Sequence, residues 1–436
     1  MKKRILYFLT IALFTSGVAY AETYDLAAFL DAVKQQNNDL KLAEMERETA
    51  TAQAREAKSN ALPTVGLEAG YNRNLTEYYM YFDRSAFGGT GVAKAPFRRD
   101  NEYSGALALQ QTLFNPSVGN AIEAAEQYRT MTDFVYDASL EHILAGSKKL
   151  YYQCLLLEQV LAVTESAETN ALENFTATKL KYDNGQTSQL ECLQAETRWR
   201  NAAVDTQKAG RNVKLAMNML KTVAGIEVSR DISIEGSLDT IPEVPRIVTA
   251  ASVMETRPDF QALAWEEKLR GTAVKAARNA SKPTVTGTLA FSCSAQSDEF
   301  RLDEENKFWF AGVKLSVPLY TGGKIEANVR KARVELAKTS IRMEKSKQSI
   351  STELENCYLR IEEARLRIRS AESTLATAEK AFSIAETTTR DGLTTQMQLK
   401  DMRVVYDQSR INYFAAVYDY MEAYFDWELA VGEADR

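Results

Sequence analysis

An internal repeat restricts the possible folds of this 436-residue chain more than any single motif does. Residues 37–65 align without gaps with residues 257–285, and the Pro-Thr-Val at 63–65 falls on the same triplet at 283–285. Further along, four landmarks recur 207 positions apart: Tyr151 and Tyr358, Phe175 and Phe382, Gly185 and Gly392, Gly225 and Gly432. Landmarks that recur in the same order indicate two copies of one structural unit.

Each copy contains the same series of predicted elements. A charged, Ala-rich helix comes first, at about 25–60 and again at about 250–280. It ends before the proline of Pro-Thr-Val, because the residue preceding a proline avoids the helical conformation. Segments with strict alternation of apolar and polar residues then predict strands. These strands are expected at about 64–74 and 103–113 in the first copy, and at about 284–294 and 308–318 in the second.

The sequence therefore predicts two structural repeats joined by a linker. The first repeat covers 22–225 and the second covers 250–436. The linker over 226–249 contains prolines and β-branched residues, and it is expected to hold only short irregular elements. The connection between the first two strands, at about 75–102, is predicted to be a long polar loop.

A very long helical hairpin completes each copy. Between Ser117 and about Lys181 the chain has no proline and only two glycines, which predicts a helix on the order of 100 Å long at ~1.5 Å per residue. The tripeptides Asp-Asn-Gly at 183–185 and Arg-Asp-Gly at 390–392 interrupt these helices. They predict equivalent turns near 185 and 392, at which each hairpin reverses direction.

The first 21 residues have the features of a secretory signal peptide. Lys2, Lys3 and Arg4 precede an apolar run over 5–14, and the Ala-Tyr-Ala at 19–21 forms a cleavage site. The apolar run is too short for a transmembrane anchor, which needs about 20 residues. Loss of the three positive charges takes the net charge from −6 to −9, and an acidic exported chain argues against nucleic-acid binding.

No set of residues suggests catalysis, so we expect no enzymatic activity, no cofactor and no bound metal. His142 is the only histidine and lies within a predicted helix, where a position on the helix surface or at an interface accounts for it. The four cysteines lack Cys-x-x-Cys spacing, and their pairing stays open. Acidic residues alternate with Lys and Arg at helical spacing, as on solvated helix faces.

The four predicted strands indicate an assembly of several chains. Each is about ten residues long with one apolar face, and four such strands leave open edges. Strands of this length are typical of membrane-spanning β-barrels, and lipid tolerates only closed barrels. Several chains would each contribute four strands, with Tyr71, Trp309 and either Phe308 or Phe310 at the membrane interfaces. A soluble helical protein with two hairpins is the alternative.

Three segments of the sequence resemble the TolC-like outer-membrane efflux protein family. They are the signal peptide, ETRPDFQALAWEEKLRGTAVKAARNASKPTV (255–285) and VPLYTGGKIEANVRKARVELA (317–337), the last with a weaker first-copy counterpart in TLFNPSVGN (112–120). The resemblance covers essentially the whole mature chain, including the duplication. It implies a mainly α fold with a membrane β portion. Three chains would form a twelve-stranded β-barrel, four strands per chain, on a long α-helical barrel.

The resemblance also implies a function and partners. Such a homotrimer is the outer-membrane channel component of a tripartite efflux or type I secretion system, and it acts as a passive conduit. It would bind a periplasmic adaptor protein and an inner-membrane pump of the RND or ABC type, with outer-membrane lipid around its strands. The alternative is a periplasmic coiled-coil adaptor or scaffold protein that does not span the membrane.

Residues at the two turns are candidates for the tip and gate of such a channel. Gly185 and Gly392 match the tip glycines of the family. Glu191 falls where the family often has a pore-facing acid, and Asp401 matches a second acid position. Both acids are also compatible with plain surface charges.

Two positions at the second turn differ from the family pattern. Gln398 stands where an acid is common, and Thr394 stands where some members carry a gating arginine. Whether Arg390 replaces that arginine from the other side of the turn stays open. Because Glu191 has no acid as its counterpart at 398, the gate is expected to be asymmetric.

Overall fold

A computed structural model of the chain describes residues 22–96, 98–302, 305–391 and 393–434. The predicted signal peptide (1–21) and Gly392 lie outside the described residues. The fold is mainly helical with a small β portion, which confirms the fold class expected from the sequence. Within the described ranges, no helix is both long and apolar enough to cross a lipid bilayer.

The helices occur in the same order in both copies of the repeat. They are α1 (Leu26–Gln36), α2 (Asn38–Ser59), α3 (Pro116–Asp183), α4 (Gln189–Val223), α5 (Ala250–Thr256), α6 (Pro258–Asn279), α7 (Lys324–Arg390) and α8 (Gln396–Val431). α3 and α7 contain 68 and 67 residues, and α4 and α8 contain 35 and 36. Each copy therefore has one long helical hairpin, α3–α4 or α7–α8.

Strands from both copies form one antiparallel sheet. The described strands are β1 (Glu22–Tyr24), β2 (Thr64–Arg73), β3 (Tyr79–Asp83), β4 (Val92–Pro96), β5 (Asn101–Phe114), β6 (Ile232–Ile234), β7 (Thr284–Ser297) and β8 (Asn306–Ser316). The order β2-β5-β7-β8 brings β5 of the first copy against β7 of the second, with Leu107 opposite Phe291. The edge strands β2 and β8 are exposed along their whole length.

The connection at 75–102 is not the plain polar loop expected from the sequence. β3 and β4 pair as an antiparallel hairpin within it, with Tyr81 opposite Lys94. A 3-10 helix over Arg84–Phe87 joins the two strands. The Lys94 ammonium lies 3.6 Å from the centre of the Tyr79 ring, a cation–π contact that stabilises the hairpin.

The Ala-rich helix of each copy is broken near its start, and the prediction of one continuous helix was wrong. The breaks lie at Asn37 and at Arg257, which are equivalent positions 220 residues apart. Asn37 caps α2 by accepting a hydrogen bond from the Leu40 N–H (3.0 Å), and its amide donates to the Val223 carbonyl (2.8 Å). At Arg257 the break precedes Pro258, which occupies the first position of α6.

The chain divides into two compact units, and each takes segments from both copies of the repeat. The first unit contains residues 22–41, 140–248 and 353–434. The second contains residues 42–139 and 249–352. The four-stranded sheet belongs to the second unit, and the ends of the two hairpins belong to the first.

Two equivalent tyrosines fix the linker in the first unit. The Tyr151 hydroxyl lies 2.9 Å from the Tyr24 carbonyl oxygen and 2.6 Å from that of Glu235, beside the parallel pair of β1 and β6. The Tyr358 hydroxyl, 207 positions further on, donates to the Arg246 carbonyl (2.6 Å). Burial raises the pKa of Tyr151 to about 12, so its hydroxyl keeps its proton and can donate. The linker is therefore held at two points, Glu235 and Arg246.

Candidate functional site

Gly185 turns the chain between α3 and α4. Its φ of +71° lies in the left-handed region, which glycine enters without the steric cost of a side chain. Its N–H donates to the Tyr182 carbonyl (2.8 Å), and the Gln186 N–H donates to the Lys181 carbonyl (2.8 Å). These two bonds form a Schellman motif, which satisfies the last carbonyls of a helix.

The second turn, between α7 and α8, repeats one of these bonds. The Leu393 N–H donates to the Thr388 carbonyl (2.8 Å), and both residues lie 207 positions beyond their counterparts Gln186 and Lys181. The Thr394 N–H donates to the same carbonyl (3.2 Å), and its hydroxyl donates to the Thr388 hydroxyl (2.6 Å). Thr394 therefore stabilises the turn with its backbone and its side chain.

Equivalent hydroxyl residues begin the returning helices. Ser188 caps α4 and Thr395 caps α8, and each side-chain oxygen accepts from the N–H three residues on, at Glu191 or Gln398. The Gln398 amide oxygen accepts in return from the Thr395 N–H (3.1 Å), which completes a capping box. The Glu191 carboxylate instead accepts a hydrogen bond from the Thr187 hydroxyl. Gln398 thus has a structural role at the position where an acid was expected.

The three predicted charges near the turns are all exposed. Glu191 lies in the first turn of α4, Arg390 is the last residue of α7, and Asp401 lies in the second turn of α8. Exposed charges at the ends of helices can set a local field for passing ions. Their place at the gate of a pore stays a prediction.

Lys400 on α8 is a charged residue at the turns that the sequence pattern did not single out. It is partly buried, and its pKa is lowered by burial and by the neighbouring cations Arg198 and Lys181, while Glu191 acts in the opposite direction. Lys181 belongs to α3, whereas Arg198 and Glu191 belong to α4. Because Lys400 and these charged neighbours come from three helices, no short sequence motif indicates that they lie close together.

A stacked pair of aromatic rings joins the two helices of each hairpin. Phe175 stacks on Trp199 with 5.6 Å between ring centres and an interplanar angle of 5°. Phe382 stacks on Tyr406 with the same separation and an angle of 4°. The two pairs lie 207 positions apart, and each is worth ~0.5–1.5 kcal/mol beyond its buried area.

Arg403 connects the second hairpin to the first. Its Nη2 donates to the Ser166 Oγ on α3 (3.0 Å), and its guanidinium lies 5.1 Å from the centre of the Phe382 ring. Its Nε is 3.5 Å from the Asp407 Oδ2. Burial raises the pKa of Asp407, and the Arg403 charge opposes that shift. The hydrogen bond to Ser166 therefore joins α8 to α3, whereas Asp407 on α8 and Phe382 on α7 hold the guanidinium in place.

The residues around the two turns provide surface charges and packing contacts, and the side chains that most often bind metals are scattered. In the part of the chain that the structure describes, no group of three or more His, Cys, Asp or Glu side chains could hold a metal ion. His142 is exposed on α3. The four cysteines are free thiols, of which Cys154 and Cys357 are buried.

Comparison with known proteins gives matches over most of the chain. The profile of the family described as "Outer membrane efflux protein" matches residues 29–226 and 250–433. The solvent efflux pump outer membrane protein SrpC of Pseudomonas putida is 24% identical over 334 residues, which are 76% of this chain and 68% of that protein. The outer membrane protein TolC of Vibrio cholerae is 22% identical over 369 residues, which are 80% of this chain and 77% of that protein.

A solved structure shares the fold. The Campylobacter jejuni CmeC outer membrane channel matches this chain with a TM-score of 0.80 at 18% identity. The match covers 94% of this chain and 86% of that one. At such low identity, the likeness concerns the fold alone.

Proposed function

Because the chain belongs to the outer membrane efflux protein family, we propose that it is the channel component of a tripartite efflux or type I secretion system. The protein resides in the outer membrane and extends into the periplasm. Channels of this family are transport proteins that work as trimers with an adaptor and an inner-membrane pump. For this chain we propose a homotrimer that binds a periplasmic adaptor and an RND or ABC pump, and that conducts passively without catalysis.

The main observation in support of this proposal is that both edges of the four-stranded sheet are open. β2 and β8 are fully exposed, and neither has a further strand partner among the described residues. An open edge in a bilayer leaves backbone N–H and C=O groups unsatisfied, at a cost of several kcal/mol per group. Three chains that join β8 of one sheet to β2 of the next would close a twelve-stranded barrel and pair these groups. A soluble periplasmic scaffold gives the exposed edges no such partner.

Conductance in planar bilayers tests the proposal and the charges at the turns together. The purified protein should insert as a discrete, cation-preferring channel, because Glu191 and Asp401 would contribute six negative charges per trimer. A Glu191→Gln/Asp401→Asn variant should lose cation preference by roughly threefold, the effect of a change of about RT in the local energy of an ion. Reversal potentials in a salt gradient measure this ratio.

The charge-conserving variant Glu191→Asp/Asp401→Glu is the matched control and should keep the preference of the parent protein. If neither variant alters conductance or selectivity, these two acids play no part in the gate. A parent protein that never yields discrete openings would count against the channel itself.

A further inference from the structure

The two faces of the four-stranded sheet differ in chemistry, and residues that pair across strands share a face. One row of paired residues is apolar across all four strands and consists of Leu67, Leu107, Phe291 and Trp309. The rows on either side of it belong to the opposite face and consist of Glu68, Ala106, Ser292 and Phe308, and of Gly66, Ala108, Ala290 and Phe310. In these two rows the opposite face is small or polar until β8, where it carries two phenylalanines.

Contacts between aromatic rings confirm the two faces. On the apolar face, the ring centres of Phe291 and Trp309 lie 5.1 Å apart. On the opposite face, those of Phe308 and Phe310 lie 6.3 Å apart, as expected for residues two positions apart on one strand. Neither phenylalanine shares the face of Trp309, contrary to the sequence-based expectation that one of them lies with it at a membrane interface.

Phe308 and Phe310 lie on the side of the sheet that lines the lumen of a barrel. In a transmembrane barrel the apolar face of each strand contacts lipid, and the opposite face lines the lumen. In the barrel of the proposed function, the row of Trp309 therefore contacts lipid. In the single chain the two phenylalanine side chains are 51% and 46% exposed. Apolar side chains grouped on an exposed polar surface indicate contact with another molecule.

The surface beside the two rings leaves room for a solute. Phe308 pairs with Ser292 on β7. Phe310 pairs with Ala290 on the same strand. In the row of Phe310, a Cβ added to Gly66 would meet no atom within 4 Å. The aromatic rings are therefore the largest side chains in their two rows, and their small neighbours leave them accessible.

Glu68 gives the same face a negative charge. It is exposed, and it lies in the row of Phe308 at the opposite edge of the sheet. When β8 of one chain lies beside β2 of the next, pairs of rings and acids alternate around the lumen. Lys314 is a cation on this face, but it lies four positions beyond Phe310, nearer to α7. The charge in the rows of the two rings therefore favours a positive solute.

We propose that Phe308, Phe310 and Glu68 form a lumenal binding zone for organic cations that carry an aromatic or apolar group. The faces of aromatic rings attract cations, and the apolar group of such a solute stacks on the same rings. This inference rests on the channel of the proposed function and adds the class of solute that the channel retains most strongly. Retention is weak, because conduction requires that a solute also leaves its site.

Block of single-channel current tests the proposal. The parent trimer in a planar bilayer conducts K⁺, and benzyltrimethylammonium is added as the aromatic cation. We expect it to reduce the current at a concentration several-fold lower than tetramethylammonium needs, because tetramethylammonium has no ring. Benzenesulfonate, an aromatic anion, should block less than the aromatic cation, since Glu68 repels it.

Variants on β8 assign the block to the two rings. Phe308→Leu/Phe310→Leu should raise the half-blocking concentration of benzyltrimethylammonium by roughly fivefold or more, the effect of losing two cation–π contacts at exposed positions. Phe308→Tyr/Phe310→Tyr keeps both rings and should retain the block of the parent protein. Trp309→Leu is the matched control on the same strand, and it should leave the block unchanged because Trp309 contacts lipid.

Glu68→Gln is an independent variant on β2, and it should weaken the block by the aromatic cation. Equal block of the parent protein and of Phe308→Leu/Phe310→Leu overturns the binding zone and leaves the channel function standing. A shift in Trp309→Leu as large as in that double variant has the same consequence. If the double variant does not assemble, an unchanged block in Glu68→Gln overturns the zone instead. A parent protein without discrete openings overturns both the zone and the channel.

Discussion

A Gly225→Ala variant is expected to lose more than ~3 kcal/mol of stability, a large share of the ~5–15 kcal/mol that is typical of a folded protein. Gly225 ends α4 with φ +67°, where an added side chain costs ~1–2 kcal/mol. A Cβ at this position would also lie 2.5 Å from the Gln36 carbonyl oxygen and 3.0 Å from its carbon. Because these atoms belong to the backbone at the end of α1, they cannot rotate away. Thermal unfolding followed by circular dichroism measures the loss.

Gly185→Ala is the matched control for this effect. Its φ of +71° is nearly the same, but no atom lies within 4 Å of the added Cβ. The expected cost is therefore only the backbone strain of ~1–2 kcal/mol, confined to the turn. Equal losses in the two variants would contradict the role given to the contact with Gln36.

A Lys148→Met variant is expected to cost ~3–5 kcal/mol, because it leaves a buried carboxylate without its partner. The Lys148 Nζ lies 2.7 Å from the Glu428 Oε2, and the two side chains are only 9% and 16% exposed. Burial already raises the pKa of Glu428, and Lys148 opposes that shift. Loss of the lysine should raise this pKa further and favour the protonated acid.

The sign of the pH dependence follows from this shift. A carboxyl group whose pKa is higher in the folded state binds more protons there than in the unfolded state, so its contribution to stability falls as pH rises through that range. The Lys148→Met loss should therefore be smaller at pH 5 than at pH 8. Chemical denaturation at the two values measures the difference.

The double variant Lys148→Met/Glu428→Met separates a broken ion pair from a packing defect. With both charges replaced by apolar side chains, stability should return close to that of the parent protein, since a buried ion pair adds little over well-packed apolar groups. A double variant as unstable as Lys148→Met alone would show that the packing of Lys148, and not its charge, carries the effect.

The repeat allowed much of the hairpin geometry to be predicted. Turn and cap residues are read from local sequence, because only certain residues satisfy the backbone there. Gly185 lies in the turn that Asp-Asn-Gly predicted, where its backbone is left-handed, and Ser188 and Thr395 cap equivalent helices. The pattern Ser-x-x-Glu at 188–191 could also have indicated that Glu191 sits in the first turn of a helix.

Other features depend on contacts between distant segments and left no local signal. The break at Asn37 is fixed by its hydrogen bond to the Val223 carbonyl, 186 positions away. Lys400 gains its neighbours from α3 and α4 only when the hairpins pack. The strands at 79–83 and 92–96 lie in a stretch rich in glycine and polar residues, which hid their pairing.

The location and assembly of the protein test the central claim most directly. Membranes of expressing cells are separated on a density gradient, and the outer-membrane fraction is run on a gel with and without heating. As an outer-membrane channel, the protein should appear in that fraction as a trimer, about three times the 48.8 kDa of the unprocessed chain, that heat converts to monomers. A monomer recovered from the soluble periplasmic fraction would contradict the channel and favour the scaffold.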